Sequence, residues 1–239
     1  MNVLMREAHL DLAHLLPTHK THTKTMQFTH NGLIIGMPET PYQLRVNKQV
    51  GCFSIGNIEP GNIDSVNTYG RGKFLEFAIA ACDTSLYGKI GKVKEQQTYA
   101  FVSAVITDSD DSRLPNGLLI HFLVYGYEAR FFAMLAAEVE TAAIFGSSTP
   151  QVIKMAFDRS VATKHGTNIK PPTICSRDAV NDELIYFEAA QVIAEKYPAY
   201  LPDAAALYPE VADLQTGEVV SGLARPSLPI SKAVPLLSA

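Results

Sequence analysis

"GLLIHFLVYGYEARFFAMLAAEVETAAIFG", residues 117–146, is the most apolar stretch of the chain, and the way it divides decides the fold. A spanning helix needs about 20 residues almost free of charge. This stretch carries Glu128, Arg130, Glu138 and Glu140, with His121 besides, and charge at the bilayer centre is costly. A membrane span is therefore a poor reading. The stretch is better cut at Gly126. Before it, "LLIHFLVYG" reads as a strand. After it, Phe131, Phe132, Leu135, Val139 and Ala142 fall near one helical face while Glu128, Glu138 and Glu140 face elsewhere. That pattern predicts an amphipathic helix of roughly four turns.

Working upstream, "TYAFVSAVITDSD" (98–110) reads as a strand. The polar turn "DSDDSRLPNG" joins it to 118–125 as a hairpin. "GKFLEFAIAACDTS" (72–85) is a longer apolar strand, and "QVGCFSIGNIEPG" (49–61) is a strand ending in a turn. "MQFTHNGLIIGM" holds two extended runs around Asn31-Gly32, a pair that tolerates positive φ at both central positions of a tight hairpin. Residues 2–16 read as a short amphipathic helix ending at Pro17, with a Thr- and His-rich linker after it. Downstream, "PQVIKMAFDRSV" is a further strand and "KHGTNIKPPT" a loop. Residues 181–198 form a second amphipathic helix, with Asn181 or Asp182 as N-cap and Pro198 beyond its end. The segment 199–239, with Pro202, Pro209, Pro226, Pro229 and Pro235, reads as an irregular Pro-rich arm.

Composition narrows the function classes. A chain of 239 residues that is 47% hydrophobic can bury one large core or two small ones. The formal net charge of -4 argues mildly against a strong nucleic-acid binder, but the charge is uneven. Residues 1–177 hold 17 Lys/Arg against 15 Asp/Glu, and residues 178–239 hold 3 against 9. A neutral-to-basic body beside an acidic C-terminal third suits contact with a polyanion. Cys52, Cys82 and Cys175 are scattered and odd in number, so neither a disulfide scaffold nor a zinc ribbon is expected, and a cytoplasmic setting is. No secretory leader is read at the N-terminus. No Walker loop, GxSxG, HExxH or GxGxxG is present, so catalysis is the less economical reading.

Weaker candidates stand beside these. His9, His14, His19, His22 and His30 crowd the N-terminus, but without a carboxylate or thiolate at fitting spacing they read as surface and linker residues. "DSDD" (108–111) lacks the length and terminal Glu of a calcium loop and reads as a turn. His121, alone on an apolar strand, reads as a satisfied core or interface histidine. No metal and no cofactor is expected.

The order of strands followed by a helix before a last strand is the layout of an OB-fold, a Greek-key β-barrel that commonly binds oligonucleotides. Residues 48–160 also resemble bacterial-type single-stranded DNA-binding proteins. "VGCFSIGNIEP" is similar to that family's first strand, and "GKFLEFAIAACDTSLYGKIGKVKEQQTY" to its second strand and basic loop. "LVYGYEARFFAML" is similar to its strand-to-helix corner, and "GSSTPQVIKMAF" to its turn into the fourth strand. Three features depart from the family, one being that its acidic tail tip has no counterpart in the closing "KAVPLLSA". The runs 98–107 and 118–125 compete for one strand's place, so one is inserted, and Trp is absent.

The expected fold is thus mainly β with flanking helices, an OB-fold-like Greek-key barrel with an inserted strand. The expected parts are an N-terminal helical arm and linker (1–26), the barrel domain (27–178), and a C-terminal helix with a Pro-rich arm (179–239). The resemblance implies a cytoplasmic, oligomeric protein that binds single-stranded nucleic acid, DNA before RNA, in replication or recombination of a phage, plasmid or mobile element. Tyr87 and Tyr99 would stack bases, and Lys89, Lys92, Lys94, Arg71 and Lys73 would neutralise phosphates. The alternative is a structural subunit of an oligomeric phage or ribonucleoprotein assembly.

Overall fold

The computed structural model describes residues 25–38, 42–90, 96–144, 149–163, 168–208 and 211–213. In chain order its elements are β1 (Thr25–His30), β2 (Leu33–Pro38), β3 (Gln43–Asn47), β4 (Cys52–Ser54), α1 (Ile63–Tyr69), β5 (Phe74–Gly88), β6 (Gln97–Ser109), β7 (Leu119–Tyr125) and α2 (Tyr127–Ile144). There follow β8 (Gln151–Ala156), β9 (Val161–Ala162), β10 (Asn168–Ile169), β11 (Thr173–Asp178), α3 (Leu184–Lys196), α4 (Ala204–Leu207) and β12 (Val211–Asp213). The architecture is mainly β with a few helices.

The centre is one curled mixed sheet in the order β11-β8-β5-β6-β7-β3-β4, with β12 added to the end of β5. β5, β6 and β7 form an antiparallel meander with Phe77 opposite Ile106 and Tyr99 opposite Tyr125. The other flank of β7 takes β3 in parallel, Gln43 opposite His121. The curl brings β4 back to the residues ahead of β5. Phe53 N–H donates to the Gly72 carbonyl at 2.9 Å, and Arg71 N–H donates to the Phe53 carbonyl at 2.8 Å.

Both faces of the meander are covered, which suits the apolar runs of β5 and β7, and β6, whose sequence alternates, is buried on both faces as well. On one face Ala100, Val102, Ala104 and Ile106 of β6 and Ile120, Phe122 and Val124 of β7 pack under α2. Phe132 of α2 stacks on Phe77 at 6.5 Å and meets Phe122 edge-on at 6.2 Å. On the other face Ala78, Ala80, Val105 and Leu119 lie against Ala189, Ala190 and Ile193 of α3 and Ile35 and Met37 of β2. Residues beyond 178 thus pack directly onto the sheet. Further along that face Leu86, Tyr99 and Phe101 are covered by Ala204 and Tyr208.

Several local expectations hold. The β1–β2 hairpin turns at Asn31 (φ 48°) and Gly32 (φ 85°). The 117–146 stretch divides at Gly126, whose φ of 71° lets the chain leave β7 and enter α2 at once. Others are corrected. The strand read over 49–61 is only Cys52–Ser54, and a helix follows it. Asn62 caps α1, its side chain accepting the Ser65 N–H at 3.1 Å. The loop read over 164–173 holds the short strand β10, and β11 starts at its last residue. α3 is preceded by a single 3-10 turn at Asn181–Glu183 and has Glu183, not Asn181 or Asp182, at its N-cap. Part of the Pro-rich arm is ordered, as α4 and β12. The N-terminal helix read over 2–16 lies outside the described residues.

Candidate nucleic-acid interface

Of the seven expected contact residues, two are withdrawn by their burial. Tyr99 is 1% exposed. Its ring lies 6.1 Å from that of Tyr125, and its hydroxyl accepts the Ile90 N–H at 3.2 Å. It is a core residue of a strand covered on both faces, so no base reaches it. Arg71 is also 1% exposed. Its Nη1 donates to the carbonyls of Gly70 (2.8 Å) and Thr68 (3.2 Å), and its Nε donates to the Tyr42 hydroxyl at 3.2 Å. The guanidinium satisfies carbonyls left open at the end of α1, as helix ends require, and is not offered to a phosphate. Arg113 adds a second donor to the Gly70 carbonyl at 2.7 Å.

Tyr87 is half-buried on the end of β5, where Ala212 of β12 pairs with it. Lys89 and Lys73 are exposed. Lys92 and Lys94 lie outside the described residues. Lys73 and Lys89 stand off opposite ends of β5, so β5 alone does not bring the expected cations together.

The curl brings others near Lys73. Lys73 O accepts the Phe157 N–H at 2.9 Å, which ties the start of β5 to the β8–β11 connection. Two residues on, the Arg159 guanidinium lies 6.0 Å over the ring of Tyr127. Farther along the same connection Lys170 N–H donates to the Lys48 carbonyl at 2.6 Å, in the β3–β4 turn. Burial raises the pKa of the Cys52 thiol, and the nearby charges of Lys73 and Lys170 pull against it. Both lysines are therefore near Cys52, a buried residue of β4. Arg130 stands one turn beyond Tyr127 on α2 and is exposed, as are Arg159 and Lys170.

Of the carboxylates among these residues one is paired with a cation, and two exposed ones accept from neutral donors. Glu128, 2% exposed in its side chain, pairs with Lys48 Nζ at 2.6 Å. Lys48 Nζ also sits 3.9 Å over the Tyr125 ring and donates to the Tyr125 carbonyl at 3.3 Å. Burial, followed by the Glu128 charge and Tyr99, pushes the Tyr125 phenol above its ordinary pKa. Asp158 accepts from the Thr173 hydroxyl at 2.5 Å. Asp110 accepts the N–H groups of Lys73 and Phe74. Lys73, Arg159, Lys170 and Arg130 thus stand on elements that meet at this corner. Sequence reasoning missed Tyr127, Arg130, Arg159 and Lys170 because they come from elements far apart in the chain. The available signal was the aromatic directly after Gly126.

The other candidates resolve into structure. His121 is buried, its Nδ1 2.8 Å from Ser103 Oγ and its ring parallel to Phe101 at 6.3 Å. Burial pushes its pKa down to about 3. His30 pairs with Glu188 of α3 at 3.2 Å, while His9, His14, His19 and His22 lie outside the described residues. Among the described residues no three His, Cys, Asp or Glu side chains are grouped to hold a metal ion, and no helix is long and apolar enough to cross a membrane. Compared with protein-family models, curated proteins and solved structures, the chain shows no significant match.

Proposed function

We propose that this protein binds single-stranded nucleic acid, DNA before RNA, through the cations Lys73, Arg130, Arg159 and Lys170. The observation that carries the reading is the convergence of exposed cations from three separate elements near one corner of the sheet. Cations that follow phosphates beside aromatic faces are what sequence-tolerant single-strand binding needs.

Connectivity supports an OB-like reading of the sheet. The meander β5-β6-β7 is followed by a helix, then by β8 paired back onto β5 and β11 paired onto β8. On that correspondence the first barrel strand is β5, neither β6 nor β7 is inserted, and β3–β4 is the addition. The two loops that OB-folds use for oligonucleotides, between strands one and two and between strands four and five, would be 89–96 and 157–172. Both carry cations: Lys89, Lys92 and Lys94 in the first, Arg159, Lys164 and Lys170 in the second. Action in replication or recombination of a mobile element fits this reading.

The test is an anisotropy titration with oligo-dT and with duplex DNA across several salt concentrations. Preference for the single strand is expected, with affinity falling steeply as salt rises. Each lost phosphate contact lowers the slope of log K against log salt by about 0.7. Lys73→Glu/Lys170→Glu should therefore flatten it by roughly 1.4. Equal affinity for duplex, or an unchanged slope in the double variant, sinks the reading.

A further inference from the structure

We infer that Tyr127 and Arg159 form a clamp for one unpaired nucleobase. The inference rests on the single-strand reading above and names where a base is held, which that reading does not.

Tyr127 is 61% exposed. Its backbone is nevertheless rigid. Gly126 fixes the corner before it, with its N–H donating to the Thr98 carbonyl at 3.4 Å and its carbonyl accepting from Arg130 N–H at 3.2 Å. The two residues after it are locked, Glu128 by its pair with Lys48 and Ala129 by burial at 1% exposure. A ring that projects into water from an immobile corner is pre-organised for a partner, because little order remains to be imposed on binding.

The spacing of the partner group indicates what fits. Flat groups in direct contact lie about 3.5–4.0 Å apart, so an aromatic base between two such planes needs about 7 Å between them. The Arg159 guanidinium is 6.0 Å from the centre of the Tyr127 ring. That is beyond direct stacking contact, and an exposed arginine stem can rotate to admit a base over the ring. Base faces are shared by all four nucleotides, so the clamp is tolerant of sequence. Arg130, three residues along and on the same helix face, is placed to meet the adjoining phosphate. Lysine in place of Arg159 keeps the charge but loses the plane.

The experiment uses oligo-dT carrying a single 5-iodouracil, cross-linked by light to the full-length protein and mapped by mass spectrometry. It is paired with oligo-dT affinities of the wild type, Tyr127→Ala, Tyr127→Phe and Arg159→Lys. The ring is on the surface, so these variants fold, and circular dichroism checks that they do. Expected are an adduct on Tyr127, a loss of about 5- to 150-fold in Tyr127→Ala, near-wild-type binding in Tyr127→Phe, and intermediate loss in Arg159→Lys. Wild-type affinity in Tyr127→Ala, or adducts only elsewhere on a protein that does bind, overturns the clamp and leaves the single-strand reading standing. No binding by the wild type overturns both.

Discussion

Lys48→Met is expected to destabilise the protein by about 3–5 kcal/mol. Lys48 Nζ lies 2.6 Å from Glu128 Oε2, and the two side chains are 12% and 2% exposed. The same ammonium covers the Tyr125 ring and bonds its carbonyl. Methionine has nearly the same shape but no charge, so the cost is that of a buried carboxylate left without its cation. Glu128 has some compensation from the start of α2, where the helix dipole favours negative charge, and from that alone it does not recover a pair. Replacing both partners, Lys48→Met with Glu128→Gln, removes the stranded charge and should recover most of the loss. Urea unfolding of the four proteins of this cycle measures it. A single substitution within about 0.5 kcal/mol of wild type would show that the pair is solvated and not buried.

Acidification is expected to weaken the fold through His121. Its ring is 1% exposed, and burial alone holds its pKa near 3 against an ordinary value of 6.5. The unfolded chain takes up a proton on this ring below about pH 6.5, while the folded protein does so only near pH 3. Between these values the unfolded state binds more protons, so stability falls with falling pH and the effect is complete near pH 3. At one pKa unit per about 1.4 kcal/mol the full window is on the order of 4–5 kcal/mol. Carboxylates add loss in the same direction at lower pH. Burial raises the Asp111 carboxyl, but its bonds with Arg113 outweigh this and hold it below the ordinary range. Glu183 is held low by its bond with Arg177. His121→Asn isolates the histidine, since an amide can still meet Ser103 Oγ. Its urea midpoint should fall less than that of wild type between pH 7 and pH 4. Parallel curves for the two proteins would mean the ring does not titrate across the folding transition.

Much of the secondary structure was legible in local pattern. The division of 117–146 at Gly126 needed only the charges and the change of period, and Asn31-Gly32 announced its hairpin. The apolar runs 72–85, 98–110 and 118–125 read as strands without any partner in view. Where the reading failed, the deciding contact was distant in sequence. Residues 49–61 looked extended because Phe53 and Ile55 are apolar, yet their hydrogen-bond partners are residues 69–72, and Asn62 starts a helix between. Tyr99 and Arg71 looked like contact residues because residue type and neighbours in the chain say nothing of burial. Tyr99 lies under Ala204, more than a hundred residues later, and Arg71 closes the end of α1.

By itself the amino-acid sequence determined the strand-rich class, the strand-to-helix corner and the scatter of cations over the chain, because periodicity, turn chemistry and charge are local properties. Only the tertiary structure decided which cations stand near one corner. That depends on a curled sheet bringing the start of β5, the β3–β4 turn and the β8–β11 connection to the corner at Tyr127. Such pairings join residues tens of positions apart, and their register is set by packing on both faces of the meander. No window of sequence records that packing.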